Sequence, residues 1–327
     1  MLPARIRSRY EGPPLASGGK RVFILGGGAA LGAHHVGALR YLEEQGITPD
    51  VVVASSIGVI NACVYATGGV AQLERAWRGF RSLTRIIAPS FWHNPLLGLS
   101  LFSMDRLTAA VEEYMDFAKI HTSPLDLHVV LLNLSRGRGE VYSKHDCADP
   151  RELRTLARAG YAIPLLFPPI RFRGDWFVDG GFAWNIPLDH CLALDPSEIY
   201  LLAPIASQLP YVGRFRTFAG FVQRLLDVMW RTIGNMGYLY AAMEDQRFHG
   251  VPVTVIEPTE QWSGFGPLAV FHAHPRKNQN LMAAGYRDAK RALAARRRRD
   301  ARARPVRRAE RVAPEAGAAP PGDGARP

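Results

Sequence analysis

Cysteine is scarce in this chain: Cys63, Cys147 and Cys191 are the only three in 327 residues. An odd number, at no metal or redox spacing, speaks against a disulfide framework and suits a reducing, cytoplasmic compartment. Long apolar runs are also missing, and no stretch approaches the roughly 18 uninterrupted apolar residues of a membrane span. The opening "MLPARIRSRYEGPPLASGGKR" is basic but has no apolar h-region, so no secretory signal is expected. Acidic charge is in deficit, with 29 Asp and Glu against 40 Lys and Arg and a net charge of +11. What remains is ordinary for a globular protein: 47% hydrophobic and 21% charged, long enough for one large α/β domain or two smaller ones.

The positive charge is unevenly placed. From Ala294 to Pro327 there are ten arginines and four acidic residues, so the tail alone carries +6. Arg, Ala, Pro and Gly leave it almost nothing to bury, and composition predicts a disordered tail over 294–327. It reads first as a solubilising segment and next as one attracted to anionic lipid headgroups. Nucleic acid is not expected, because no aromatic residue is interleaved with the arginines.

"RVFILGGG" (21–28) reads as a buried strand entering a tight glycine loop, and "AALGAHHVGALRYLEEQG" (29–46) as a helix closed at Gly46. "ITPDVVVASS" (47–56) repeats the strand and "IGVINACVYATGG" the helix, which is the βαβ signature of a parallel, helix-covered sheet. Further strands are predicted at "LHVVLLNLS" (127–135), "WFVDGG" (176–181), "EIYLLAP" (198–204) and "VPVTVIEP" (251–258).

Two adjacent serines leave the second strand. A nucleophile on a sharp strand-to-helix turn needs small residues two positions before and after it. Ser56 has Ala54 and Gly58 there; Ser55 has Val53 and Ile57, which are too large. The A-x-S-x-G pattern therefore nominates Ser56, although by itself so short a motif is usually an ordinary turn.

Upstream, "LGGGAALG" (25–32) can aim backbone N–H groups at one point at a helix N-terminus. A dinucleotide fingerprint would need an acid closing the next strand, and "VVVASS" has none. An oxyanion hole fits better, because the second strand delivers Ser56 to the same edge of the sheet. None of the ten histidines has a persuasive setting for the serine's base: His34 and His35 fall on a helix as packing or surface residues, and His272 and His274 have no partner cluster. Asp179, followed by Gly180 and Gly181, ends a strand at an open turn, and partial burial would raise its pKa toward that of a working base. A lone D-G-G would be an ordinary turn.

Together these stretches resemble the patatin-like phospholipases. Gly27 and Gly28 match that family's oxyanion loop, Ser56 its elbow, and Asp179 its D-G-G, 123 residues beyond the serine. Ala162, Pro164, Phe167, Asn185 and Pro187 match the block around the aspartate, and the resemblance spans about residues 20 to 205. It implies a three-layer α/β sandwich with a mainly parallel central sheet. It also implies a serine acyl hydrolase with a Ser–Asp dyad, without histidine, metal or organic cofactor. In that reading Ser56 is the nucleophile, Asp179 the general base, and Gly27, Gly28 and Ala29 the oxyanion hole, with Ala54, Gly58, Gly180 and Gly181 shaping the turns. The chain departs from the family where Ala29 takes a third glycine, Leu31 a basic residue, and Ala54 the elbow's first glycine.

The expected organisation is a basic arm (1–17), a patatin-like domain (18–293) and the tail (294–327). The expected substrate is phospholipid or lysophospholipid, and the expected location is cytoplasmic, peripheral at the inner membrane face. "TRIIAPSFWHNPLLGLSLFS" (84–103) reads as packed core or as a cover over the acyl site. In 220–243, Phe221, Leu225, Val228, Met229, Ile233 and Met236 recur near helical spacing with Arg224 and Arg231 flanking, as a core helix or an interfacial one. Two other readings stay open: an α/β-hydrolase-fold esterase with a Ser-His-Asp triad, and a non-catalytic lipid-binding or scaffolding protein. Acyl transfer to an acceptor other than water is open too.

Overall fold

The computed structural model describes residues 19–80, 88–89, 100, 102–207, 211–215, 217–233, 246–259 and 274–312. In chain order the first elements are β1 (Lys20–Leu25), α1 (Ala33–Glu44), β2 (Val51–Ala54), α2 (Ile57–Gly79), β3 (Ala88–Pro89) and β4 (Phe102–Ser103). Next come α3 (Asp105–Glu112), α4 (Phe117–Thr122), β5 (Asp126–Asn133), β6 (Arg138–Ser143), α5 (Pro150–Gly160), β7 (Ile170–Phe172) and β8 (Asp175–Asp179). The last are α6 (Leu188–Leu192), β9 (Pro196–Leu202), α7 (Phe218–Ile233), β10 (Arg247–Phe248), β11 (Val251–Ile256) and α8 (Pro275–Val312).

The main sheet runs β10-β11-β9-β1-β2-β5-β8-β7, with β6 also paired to β5. Its centre, β11, β9, β1, β2 and β5, is parallel, and antiparallel strands are added at both sides. The fold is therefore mixed α/β with a mainly parallel central sheet, as the sequence pattern predicts. The four β2 residues are all buried, as are the last four of β1, which explains why these strands read as continuous apolar runs.

One detail of register decides where the site forms. β6 occupies one edge of β5 along His128–Asn133, so β2 and β8 share the other edge. β2 pairs only as far as Ala54 with Val129, and β8 arrives from the opposite direction with Asp179 against Leu131. The C-terminal ends of β2 and β8 thus meet over Val130, and both chains turn out of the sheet there.

α1 packs directly on α8. A Cβ on Gly37 would lie 1.7 Å from the Met282 carbonyl oxygen, and one on Gly285 would lie 1.9 Å from that of His34, so the two helix backbones touch where no side chain fits. Gly46 follows the C-cap residue Gln45 in the left-handed conformation (φ +70°), the position at which a glycine ends a helix. α2 does not stop at its glycine pair: it continues to Gly79 with a kink at Gly68 and Gly69.

The tail differs from expectation. Helix α8 runs past Ala294 through Val312, over residues where composition predicts disorder. Alanine and arginine are good helix formers, so low hydrophobicity concealed a strong local preference. The start of this stretch is also tied down: Arg296 donates to Tyr200 Oη at 2.9 Å and pairs with Glu198 at 2.7 Å. The arm (1–17), residues 313–327 and most of 84–103 lie outside the described residues.

Candidate active site

Ser56 stands between β2 and α2 with φ 54° and ψ −127°, a left-handed value that a non-glycine residue adopts only under constraint. The constraint is visible. Its own amide donates to the Gly160 carbonyl at 3.1 Å, and the next turn closes through Gly58 N–H to Ser55 O at 2.8 Å. A Cβ on Gly58 would sit 2.0 Å from the Leu25 carbonyl oxygen, so α2 can fold back across β1 only with glycine there. Ala54 is fully buried, and its methyl is accommodated.

Asp179 ends β8 and is fully buried. Its Oδ1 accepts the Gly181 N–H at 2.8 Å, while Oδ2 has no hydrogen-bond partner among the described residues. Burial pushes the carboxyl up to about 7, against the opposing influence of Ser56 and of the Gly181 N–H. The serine is close enough to favour the ionised form, yet the pair lies outside normal hydrogen-bond geometry. Gly180 is required by the close turn: a Cβ there would come within 2.2 Å of the Val130 backbone.

The glycine loop continues from β1 into a 3-10 turn, Ala29–Gly32, with Ala29 in the left-handed region at φ 49°. The three amides expected to form an oxyanion hole are not equivalent. The Gly27 N–H is already donated to Asn185 Oδ1 at 2.5 Å. Gly27 instead provides closeness, because a Cβ there would lie 2.7 Å from that oxygen and 2.8 Å from Ser56 Cβ. The Gly28 and Ala29 amides have no partner among the described residues, which leaves two donors at the start of a helical turn beside Ser56.

Asn185 was legible only as part of a motif, and the structure gives it a position. Its Oδ1 accepts from Ser55 Oγ at 2.8 Å as well as from Gly27 N–H, and its backbone oxygen is 3.1 Å from the same hydroxyl. One buried amide thus ties the glycine loop to the residue next to Ser56. This also explains the serine pair: Ser55 is a structural donor facing Asn185, away from the role of Ser56.

His34 and His35 are committed elsewhere. His34 Nε2 lies 3.0 Å from Asp288, and His35 Nε2 lies 3.1 Å from the Leu202 carbonyl. Burial and the neighbouring His34 lower the His35 pKa to about 3, so that ring is neutral. Among the described residues no histidine hydrogen-bonds Ser56; His272 lies outside them. The three cysteines are free and buried.

An apolar pocket opens at the elbow, with a cavity volume of about 90 Å³. Ala29 and Ser56 stand in its wall with Ile60, Leu73, Leu107 and Phe167. Its one amide, Asn61, is satisfied by Gly32 O, His35 and the Trp77 indole N–H, so the wall offers a chain little polar contact. Among the described residues no helix is long and apolar enough to cross a membrane.

Comparison with known proteins shows what the chain is similar to. Over 191 residues the chain is 26% identical to a protein of Emericella nidulans named Lysophospholipase nte1, a match covering 55% of this chain and 11% of that one. Over 181 residues it is 28% identical to the mouse (Mus musculus) patatin-like phospholipase domain-containing protein 6, covering 53% and 12%. The chain thus spans about a tenth of the length of these relatives. Among solved structures, VipD from Legionella pneumophila aligns over 86% of this chain and 68% of its own, at 13% identity and a TM-score of 0.46. The family model for patatin-like phospholipase matches residues 23–192, from within β1 to the end of α6. That span contains the glycine loop, the serine elbow, the aspartate turn and Asn185, and the chain belongs to the patatin-like phospholipase family.

Proposed function

We propose that the protein hydrolyses fatty-acyl esters of phospholipids or lysophospholipids, with Ser56 as nucleophile and Asp179 as general base. The observation that carries this reading is the placing of a strained serine between a fully buried carboxylate and an apolar pocket. The substrate class follows from the pocket, which suits an alkyl chain, and from the activity in the fungal relative's name.

In the acylation step Ser56 Oγ attacks the ester carbonyl carbon while its proton passes to Asp179. The carbonyl oxygen takes the negative charge and is held by the Gly28 and Ala29 amides, the two loop donors left without a partner among the described residues. The tetrahedral intermediate collapses, and Asp179 returns the proton to the departing alkoxide. Water then attacks the acyl-serine, again giving its proton to Asp179, and the fatty acid leaves from a regenerated serine. A base near pKa 7 is ionised often enough to accept the proton and basic enough to take it. With no histidine in the relay, the buried site itself provides the basicity. The protein would act on membranes from their surface.

A fluorophosphonate probe read by intact mass tests this. Wild type and Ser55→Ala should label, Ser56→Ala should not, and Asp179→Asn should label far more slowly. Equal labelling of Ser56→Ala would overturn the assignment of the nucleophile. A folded wild type that stays unlabelled, with and without lipid vesicles, would overturn the hydrolase reading.

A further inference from the structure

Exposed apolar surface is not spread evenly over this protein. Twelve large hydrophobic side chains are exposed among the described residues, and eight of them fall between Tyr211 and Met229. A soluble surface ordinarily scatters such residues singly, and a contiguous patch marks an interaction site. Here it is organised by α7. At about 100° per residue, Phe218, Phe221, Leu225, Val228 and Met229 fall within one arc of roughly 100°, a single stripe along the helix. Each is at least 42% exposed, and Phe218 reaches 81%. Phe215, just before the helix, stacks edge-on against Phe221 at 5.5 Å and extends the stripe with an aromatic ring.

The sequence of this segment carries charge of one dominant sign. Between 211 and 233 the sequence carries Arg214, Arg216, Arg224 and Arg231 against a single acid, Asp227. An apolar stripe with aromatic rings and basic residues is the composition of a helix lying in the headgroup layer of an anionic bilayer. The stripe is also at the right place. α7 packs beside the 3-10 turn Gly180–Phe182, the turn that immediately follows Asp179. A surface seated on α7 therefore lies next to the catalytic edge of the sheet.

We infer that α7 is the lipid-docking face of this protein, inserting the Phe218–Met229 stripe into an anionic membrane surface and presenting the Ser56 pocket to lipids in it. The inference rests on the lipid hydrolase reading for its choice of occupant. It takes up the interfacial one of the two readings the sequence left open for 220–243, in place of the Arg-rich tail. Bilayer contact would bury the stripe and leave the helix backbone satisfied, since an α-helix needs no partner for its own hydrogen bonds.

The test is vesicle co-sedimentation of the full chain carrying Ser56→Ala, so that binding is read without turnover. The vesicles are phosphatidylcholine alone and phosphatidylcholine mixed equally with phosphatidylglycerol. The chain should bind the mixed vesicles more tightly. The double substitution Phe221→Ser, Leu225→Ser should weaken that binding by about tenfold or more, because two half-exposed side chains no longer leave water. Far-UV circular dichroism confirms that the variant is folded, and Phe218→Ser with Met229→Ser on the same stripe provides an independent pair if it is not. The proposal fails if both folded pairs bind like the parent. It also fails if binding is lost only when tail arginines are replaced, as in Arg307→Glu, Arg308→Glu. A chain dimeric by light scattering that the α7 substitutions make monomeric, with vesicle binding unchanged, would assign the stripe to a second copy instead. Loss of fluorophosphonate labelling in Ser56→Ala is a separate result, so the hydrolase reading and the docking face stand or fall independently.

Discussion

Replacing Asp179 by Asn should stabilise the protein while disabling it, and the gain should depend on pH. In the native state the carboxyl titrates near 7, and its ordinary value is 3.8. A group whose native pKa is raised favours folding when protonated; that contribution is complete below the unfolded pKa and is lost as pH rises through the native one. With a shift of about three units, the ionised native carboxylate costs about 4 kcal/mol above pH 7. Asparagine is spared that cost. Its Oδ1 can keep the Gly181 N–H bond, but its Nδ2 would replace the unpartnered Oδ2, at about 1–3 kcal/mol for a buried unsatisfied donor. That second term is independent of pH, so the pH-dependent part can be read cleanly. Between pH 5 and pH 8 the stability of Asp179→Asn relative to wild type should rise by about 3 kcal/mol. At about 2–4 °C per kcal/mol for a domain of this size, the difference in Tm should widen by roughly 6–12 °C. Differential scanning calorimetry of both proteins across that range measures it. A difference in Tm that stays flat with pH would refute the reasoning, because the carboxylate would then not be titrating near 7 in the fold. The same titration predicts that wild-type kcat/KM falls on acidification through pH 7, as the base is protonated.

Three further outcomes follow from the site's construction. Asn185→Ala orphans the Gly27 N–H and leaves the Ser55 hydroxyl only the backbone oxygen of residue 185, so it should cost about 1–3 kcal/mol by urea unfolding and slow fluorophosphonate labelling of the folded fraction; unchanged labelling would remove its positioning role. Gly58→Ala puts a methyl 2.0 Å from the Leu25 carbonyl oxygen and should destabilise by more than about 3 kcal/mol, or abolish soluble expression, in contrast to the tolerated methyl of Ala54. Ala110→Trp, in the pocket wall, should lower kcat/KM at least about tenfold for a long-chain ester and leave a dissolved short-chain ester within about twofold; equal losses would place the acyl chain elsewhere.

Much of the site was legible because its requirements are local. A serine on a strand-to-helix turn needs small neighbours at fixed offsets, and only Ser56 has them. The glycine loop and the D-G-G turn carry similar short-range signatures, and buried parallel strands announce themselves as apolar runs. The sequence by itself therefore determined the α/β class, the central strands and the nomination of Ser56 and Asp179. It misread the stretch after Ala294, because composition reports what a segment can bury and not its helix propensity or its partners Tyr200 and Glu198. Only the tertiary structure decided the rest. Ser56 and Asp179 are 123 residues apart, and they meet because β2 leaves the edge of β5 where β8 takes it up, a matter of register that no local pattern encodes. The tertiary structure also took the Gly27 amide from the expected oxyanion hole and gave it to Asn185, since a donor's direction depends on which distant acceptor packs against it. The pKa of Asp179 belongs to the same class of facts: a carboxylate becomes a base near neutrality only when the assembled fold removes its water.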